Sequence, residues 1–211
     1  KSFLDNGYMS KVQITDLFES GRAAFKFDGA WEVNTIYNNY PDVNLGVAPY
    51  VVSDNWDGGR FYNLPLDEFI QVIDNSLERG YTVCWDGDMS EKSYSDRMGV
   101  AVNPTGEELN SEPGKELAFK KIYKEEDVTQ ESRQDGFERF VTTDVHLMHL
   151  IGKATDQNGT VYYKVKNSWK PEINIFGGYN FLSKRFVEAK TISIVVHKDA
   201  IPEPIRKKLG I

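Results

Sequence analysis

The sequence predicts an α+β fold, and three stretches predict it. The first is a two-stranded hairpin from Thr142 to Trp169, the second a helix over about 65–79, and the third a strand from Thr191 to His197 behind a short helix. The hairpin turns at Asp156-Gln-Asn-Gly159, where Asn-Gly supplies the positive φ angles of a tight turn. On its second strand Val161, Tyr163 and Val165 alternate with Tyr162, Lys164 and Lys166, so one face is apolar and the other polar.

Taken in order, Asp54 to Arg60 is a loop rich in Asp, Asn and Gly. Leu66, Phe69, Ile70, Ile73 and Leu77 then recur at helical spacing, with Asp67 and Glu68 in the first turn and Gly80 just past the end. Tyr81 to Asp86 follows as a strand with Tyr81, Val83 and Trp85 on one face. Residues 103–135 are acidic and polar apart from Leu117 to Tyr123, and read as an excursion with one or two helical turns. Ser183–Lys190 is a short helix, and Ile192, Ile194 and Val196 share a face of the last strand.

The 211 residues carry a net charge of −7, and no basic run suggests a nucleic-acid partner. No apolar stretch approaches membrane-spanning length, and no signal peptide heads the chain. The single cysteine, Cys84, cannot form an internal disulfide, which fits a reducing, cytoplasmic setting. Lys1 is consistent with a fragment or a processed product.

The hairpin brings His146 and Asn167 to the same end of a sheet, with Trp169 two residues on. Taken alone, a histidine on a strand reads as a satisfied packing residue rather than a functional one. A metal reading of His146, His149 and Asp144 is opposed by strand periodicity, because residues three apart point to opposite faces. Asp86 and Asp88 read as a solvated strand end rather than an acid/base couple, and Asn158-Gly-Thr160 as a turn rather than a glycosylation site. Cys84 lies inside a predicted strand, not at a helix N-terminus where amide groups favour a thiolate, so it reads as a small core residue.

HLMHLIG at 146–152, YYKVKNSW at 162–169 and GGY at 177–179 resemble the His/Asn lobe of papain-like cysteine peptidases. Stretches 54–91, 128–138 and 194–211 extend the resemblance, within that group, to the bleomycin hydrolase and aminopeptidase C family, over essentially all of 51–211. The resemblance implies an antiparallel half-barrel with flanking helices. It also implies a thiol aminopeptidase that needs no cofactor, acts on peptides and assembles as a homo-oligomeric, hexameric ring. His146 takes the place of the histidine that accepts the thiol's proton, Asn167 of the amide that orients it, and Trp169 of the ring that shields their bond. The Ile211 carboxylate takes the place of the terminal group that pairs with a substrate's free amine. The thiol's own place is unfilled, so the chain is expected to be inactive by itself. Two departures stand out: Lys170 where a glycine usually follows NSW, and Val145 where many relatives carry an aspartate.

Residues 1–50 fall outside that resemblance and read as a mainly helical segment. LFESGRAAFKFDGAWEVNTIYNNYPDVNLGVAPY resembles a piece of a transporter-associated sugar-binding protein, in which Trp31 is either a sugar-stacking ring or a core residue. The expected organisation is therefore 1–50 as a segment of foreign origin and 51–211 as the peptidase lobe, with a seam near Tyr50–Val51. The alternative function is a non-catalytic binding or scaffold protein, including a sugar-binding role for residues 1–50.

Overall fold

The computed structural model describes residues 47–49 as backbone, 61–114 and 116–211. Trp31 and the expected seam at 50–51 lie outside the described residues. In chain order the elements are β1 (Val47–Pro49), β2 (Tyr62–Leu64), α1 (Leu66–Glu78), β3 (Val83–Gly87), β4 (Tyr94–Ser95), β5 (Val100–Ala101), α2 (Gly106–Ser111) and α3 (Gln130–Glu138). They continue with β6 (His146–Thr155), β7 (Val161–Lys166), β8 (Tyr179–Ser183), α4 (Lys184–Lys190), β9 (Thr191–Val195) and α5 (Glu203–Leu209). None of the described helices is long and apolar enough to cross a membrane.

Helix α1 buries Phe69, Ile70, Val72 and Ile73 along one stripe, each contributing about 1.5–3 kcal/mol of transfer free energy. It ends on Gly80, whose φ of +80° lets its N–H bond Leu77 O while Tyr81 N–H bonds Ser76 O. This paired closure satisfies carbonyls that would otherwise be left over at the helix end.

The main sheet runs β4-β5-β8-β7-β6-β3-β9. Alternation puts Val83, Trp85, Met148, Leu150, Tyr163, Val165, Leu182 and Ile194 on its core face, under α1 and under Phe186 and Val187 of α4. Trp85 faces Met148 on one side and Ile194 on the other, and its indole N–H donates to Thr191 Oγ1 at 2.7 Å. The expected all-antiparallel half-barrel is corrected to a mixed sheet, because β5 and β8 pair in parallel through Val100 and Phe181. The two strands are separated by the 102–145 excursion and the β6–β7 hairpin, and only so long a connection lets neighbouring strands run the same way.

The hairpin turn also differs from expectation. Gly159 alone takes positive φ, at +86°, and Asp156 Oδ1 accepts from the N–H groups of Asn158 and Thr160 across a five-residue connection at 156–160. The excursion is more ordered than expected. Thr105 caps α2, and a reciprocal pair of bonds between Thr129 and Ser132 caps α3. Buried Arg133 then ties α3 to Glu188 O and Thr191 O, and burial lowers its pKa to about 10.

Candidate active site

His146 opens β6 opposite Gly87, and Asn167 is the first residue after β7. By the two-residue period, His146 shares its face with Met148 and Leu150, and Asn167 shares one with Tyr163 and Val165. Both side chains therefore extend the core face at one end of the sheet, where His146 Nε2 meets Asn167 Oδ1 at 2.9 Å. Asn167 is buried and His146 half-buried. The Trp169 ring lies nearly parallel to the imidazole, with centroids 6.2 Å apart and 16° between planes, and is itself 46% exposed.

The direction of this bond can be read from the other contacts of the amide. Asn167 Nδ2 faces Asp96 Oδ1 at 3.0 Å and the Tyr94 hydroxyl at 3.4 Å, while Oδ1 accepts from Ser168 N–H at 2.7 Å. An amide NH₂ can only donate, so the oxygen must face the imidazole. His146 Nε2 therefore carries a hydrogen, and Nδ1 is the nitrogen that takes up or releases a proton.

Behind Asn167 lies a set of polar residues that no sequence pattern connects. Asn180 Nδ2 donates to Asp96 Oδ1 at 2.7 Å and to the Tyr94 hydroxyl at 2.6 Å, and the hydroxyl donates to Asp96 at 3.0 Å. Burial first, then the Asp96 charge, holds the Tyr94 phenol well above its ordinary pKa, so it stays a neutral donor. Asn174 secures the intervening loop: its Nδ2 donates to Asp96 O and Tyr179 O, and its Oδ1 accepts from Phe176 and Gly178 N–H. Lys166 Nζ braces the start of that loop on Asn167 O at 2.8 Å and Trp169 O at 3.3 Å.

The segment leading into His146 is pinned as well. Buried Asp88 accepts from Ser90 N–H and hydroxyl, and from Thr143 N–H at 2.8 Å and hydroxyl at 3.1 Å. Burial raises its pKa, but these four bonds outweigh it and the carboxyl lies below its usual range. Asp86 is also buried, with Oδ2 accepting from Ser193 and Oδ1 lacking a donor. Burial, then the neighbouring Asp144 charge, pushes Asp86 up to about 8, so its carboxyl holds its proton into the neutral range. The expected solvated strand end at Asp86 and Asp88 is thus corrected: both are buried because β6, β9 and the turn at 143 close over them.

Cys84 and His149 lie on the opposite face from His146. Burial, then Asp86, pushes the Cys84 thiol up to about 12, and burial lowers His149 to about 4. Among the described residues no group of three or more His, Cys, Asp or Glu is arranged to hold a metal ion. The Lys208–Glu68 ion pair ties helix α5 to the first turn of α1, and the Ile211 N–H bonds Arg206 O. A cavity of about 380 Å³ lined by Arg79, Tyr81, Asp199 and Arg206 lies at the far end of the sheet and contains none of the site residues. Phe140, Val141, Val145, Trp169, Ile173 and Ile175 are exposed apolar side chains.

No family model matches the chain, and no curated protein matches it. Among solved structures, PepW from Lactobacillus rhamnosis matches with a TM-score of 0.54 at 19% identity, over 82% of this chain and 41% of PepW. The bromelain protease of Ananas comosus matches at 0.34 and 14% identity, over 63% of this chain and 46% of that one. Procathepsin L2 of Tenebrio molitor larval midgut matches at 0.35 and 20%, over 65% and 33%. These last two are too distant to add weight. The chain spans about two-fifths of the length of PepW, with 41% of it covered. What the chain shares with PepW is a fold, a half-barrel sheet with packed helices.

Proposed function

We propose that this chain is the His/Asn lobe of a thiol aminopeptidase of the bleomycin hydrolase type. The observation that carries the reading is the 2.9 Å contact between His146 Nε2 and Asn167 Oδ1, with the amide's orientation set by Asp96 and Ser168. A histidine whose second nitrogen is held by an amide keeps one protonation site for chemistry, at Nδ1.

In this reading a thiol from outside these 211 residues gives its proton to Nδ1, forming a thiolate–imidazolium pair. The thiolate attacks the carbonyl carbon of the first peptide bond. The S–C bond forms, the C–N bond breaks, and the imidazolium hands its proton to the departing amine. Water then cleaves the thioester, with Nδ1 accepting its proton. A neutral amide suits the resting site, because the imidazolium already has the thiolate as counter-ion. Trp169 covers the Nε2–Oδ1 bond and limits competition from water. The Ile211 carboxylate is assigned the substrate's free ammonium, which confines cleavage to the N-terminal end.

The test is complementation. The chain alone is expected to turn over no aminoacyl fluorogenic substrate, and to gain turnover when paired with a lobe bearing the glutamine and cysteine of such enzymes. Thiol-dependent turnover by the chain alone, abolished by Cys84→Ser, overturns the reading. A scaffold protein gains nothing from the added lobe.

A further inference from the structure

We infer that Asp96 is the positioning residue of this site: it fixes which way round the Asn167 carboxamide sits, and through it which nitrogen of His146 carries the hydrogen. The inference gives a regulating part to the site of the proposed peptidase and takes its catalytic meaning from that reading.

A carboxamide is nearly symmetric in shape, so turning it over costs little sterically and its orientation is decided by partners. His146 does not decide it, since Nε2 serves equally as donor or acceptor. The far side does. Asp96 Oδ1 stands 3.0 Å from Asn167 Nδ2, and a turned amide would set its carbonyl oxygen against that carboxylate. Ser168 N–H favours the same orientation at 2.7 Å, but as a neutral contact it is the weaker influence.

Asp96 is itself held from three directions. The Tyr94 hydroxyl and Asn180 Nδ2 donate to its Oδ1, and Asn174 Nδ2 donates to its backbone carbonyl at 2.9 Å. Those donors come from β4, β8 and the loop between β7 and β8, so the carboxylate is fixed before any ligand arrives. Its hydrogen-bond partners are neutral amides and a phenol kept protonated by burial, so its charge polarises the amide rather than being spent on a cation.

The test is imidazole tautomer assignment by long-range ¹H–¹⁵N NMR on the labelled full chain, which has three histidines. Wild type is expected to show His146 as a single Nε2–H tautomer in its neutral form. Asp96→Ala leaves only the neutral contacts with Ser168 and the Tyr94 hydroxyl to orient the amide and is expected to show the Nδ1–H form at about a tenth or more. Asp96→Asn keeps an acceptor facing Asn167 and restores the wild-type tautomer, with His149 and His197 unchanged throughout. A folded Asp96→Ala protein with only Nε2–H, or wild type carrying Nδ1–H, overturns the inference. Should Asp96→Ala not fold, Asp96→Ser is read the same way, its oxygen stopping short of Asn167. The readout needs no turnover: a tautomer shift in a protein that complementation leaves inactive sinks the peptidase reading and keeps the positioning role, and the reverse result separates them the other way.

Discussion

Cys84 and His149 sit directly opposite one another across β3 and β6, on the face of the sheet away from His146. A thiol beside an imidazole looks like a reactive pair by composition, yet burial moves the two in the unreactive direction, the thiol up to about 12 and the imidazole down to about 4. Neither carries charge near neutrality.

A first prediction is that Cys84 resists alkylation in the folded chain. At pH 8 a thiol titrating at about 12 is roughly one ten-thousandth thiolate, against about a quarter for an ordinary cysteine, so iodoacetamide should label it about 10³-fold more slowly. Urea should restore the ordinary rate. Fast labelling of native protein, followed by intact mass, would show that Cys84 is a working nucleophile.

A second prediction concerns the paired enzyme, with a thiol-bearing lobe added. His146→Ala should lower kcat by about 10²–10⁴-fold, the usual cost of losing a positioned acid/base group. Asn167→Ala should cost less and fall on kcat rather than KM, because the ring is retained and only its orientation is lost. A variant at either residue with unaltered kcat contradicts the assignment.

Third, Asp86 makes stability fall as pH rises. Its folded value of about 8 exceeds the unfolded 3.8, so between them the folded chain binds more protons. Its stabilising contribution is complete below the lower value and is lost as pH climbs through the upper one. Asp86→Asn keeps the neutral form and its contact to Asp144 at every pH. It should therefore raise Tm over wild type by a margin that grows from pH 5 to pH 9, at about 2–4 °C per kcal/mol for a chain of this size. A margin that shrinks over that range rules the account out.

Fourth, Asp88→Ala should destabilise the chain by about 1–3 kcal/mol, since it removes the charged acceptor shared by the donors of Ser90 and Thr143. Because Thr143 stands three residues before His146, the imidazole resonances should broaden or shift in the same variant. Denaturant melts and the histidine spectrum check the two halves separately.

Much of the sheet was legible because its strands are local. Helix 65–79 and the hairpin were written in period and punctuation, and α4 starts on Ser183, which accepts from Phe186 N–H. The meeting of His146 and Asn167 also follows from local pattern, since both flank one hairpin. Tyr94, Asp96 and Asn180 were not legible: they join β4 to β8 across 84 or more positions, and no spacing rule connects an aspartate in one loop to an amide on a distant strand. The burial of Asp86 and Asp88 was missed for the same reason, because β9 closes over the first and the 143 turn over the second. Helix α3 has little apolar face and depends on its capping box and Arg133, which a search for hydrophobic period passes over.

The bare backbone at Gly87 limits how this chain can be re-engineered. It is the residue paired with His146, and so the obvious place to graft a sulfur. An added Cβ there would lie 2.3 Å from the Trp85 ring and 2.6 Å from Lys190 O. The adjoining strand is thus closed to any side chain at that height, and a self-sufficient catalyst built on this scaffold must bring its thiol in on a separate piece of protein.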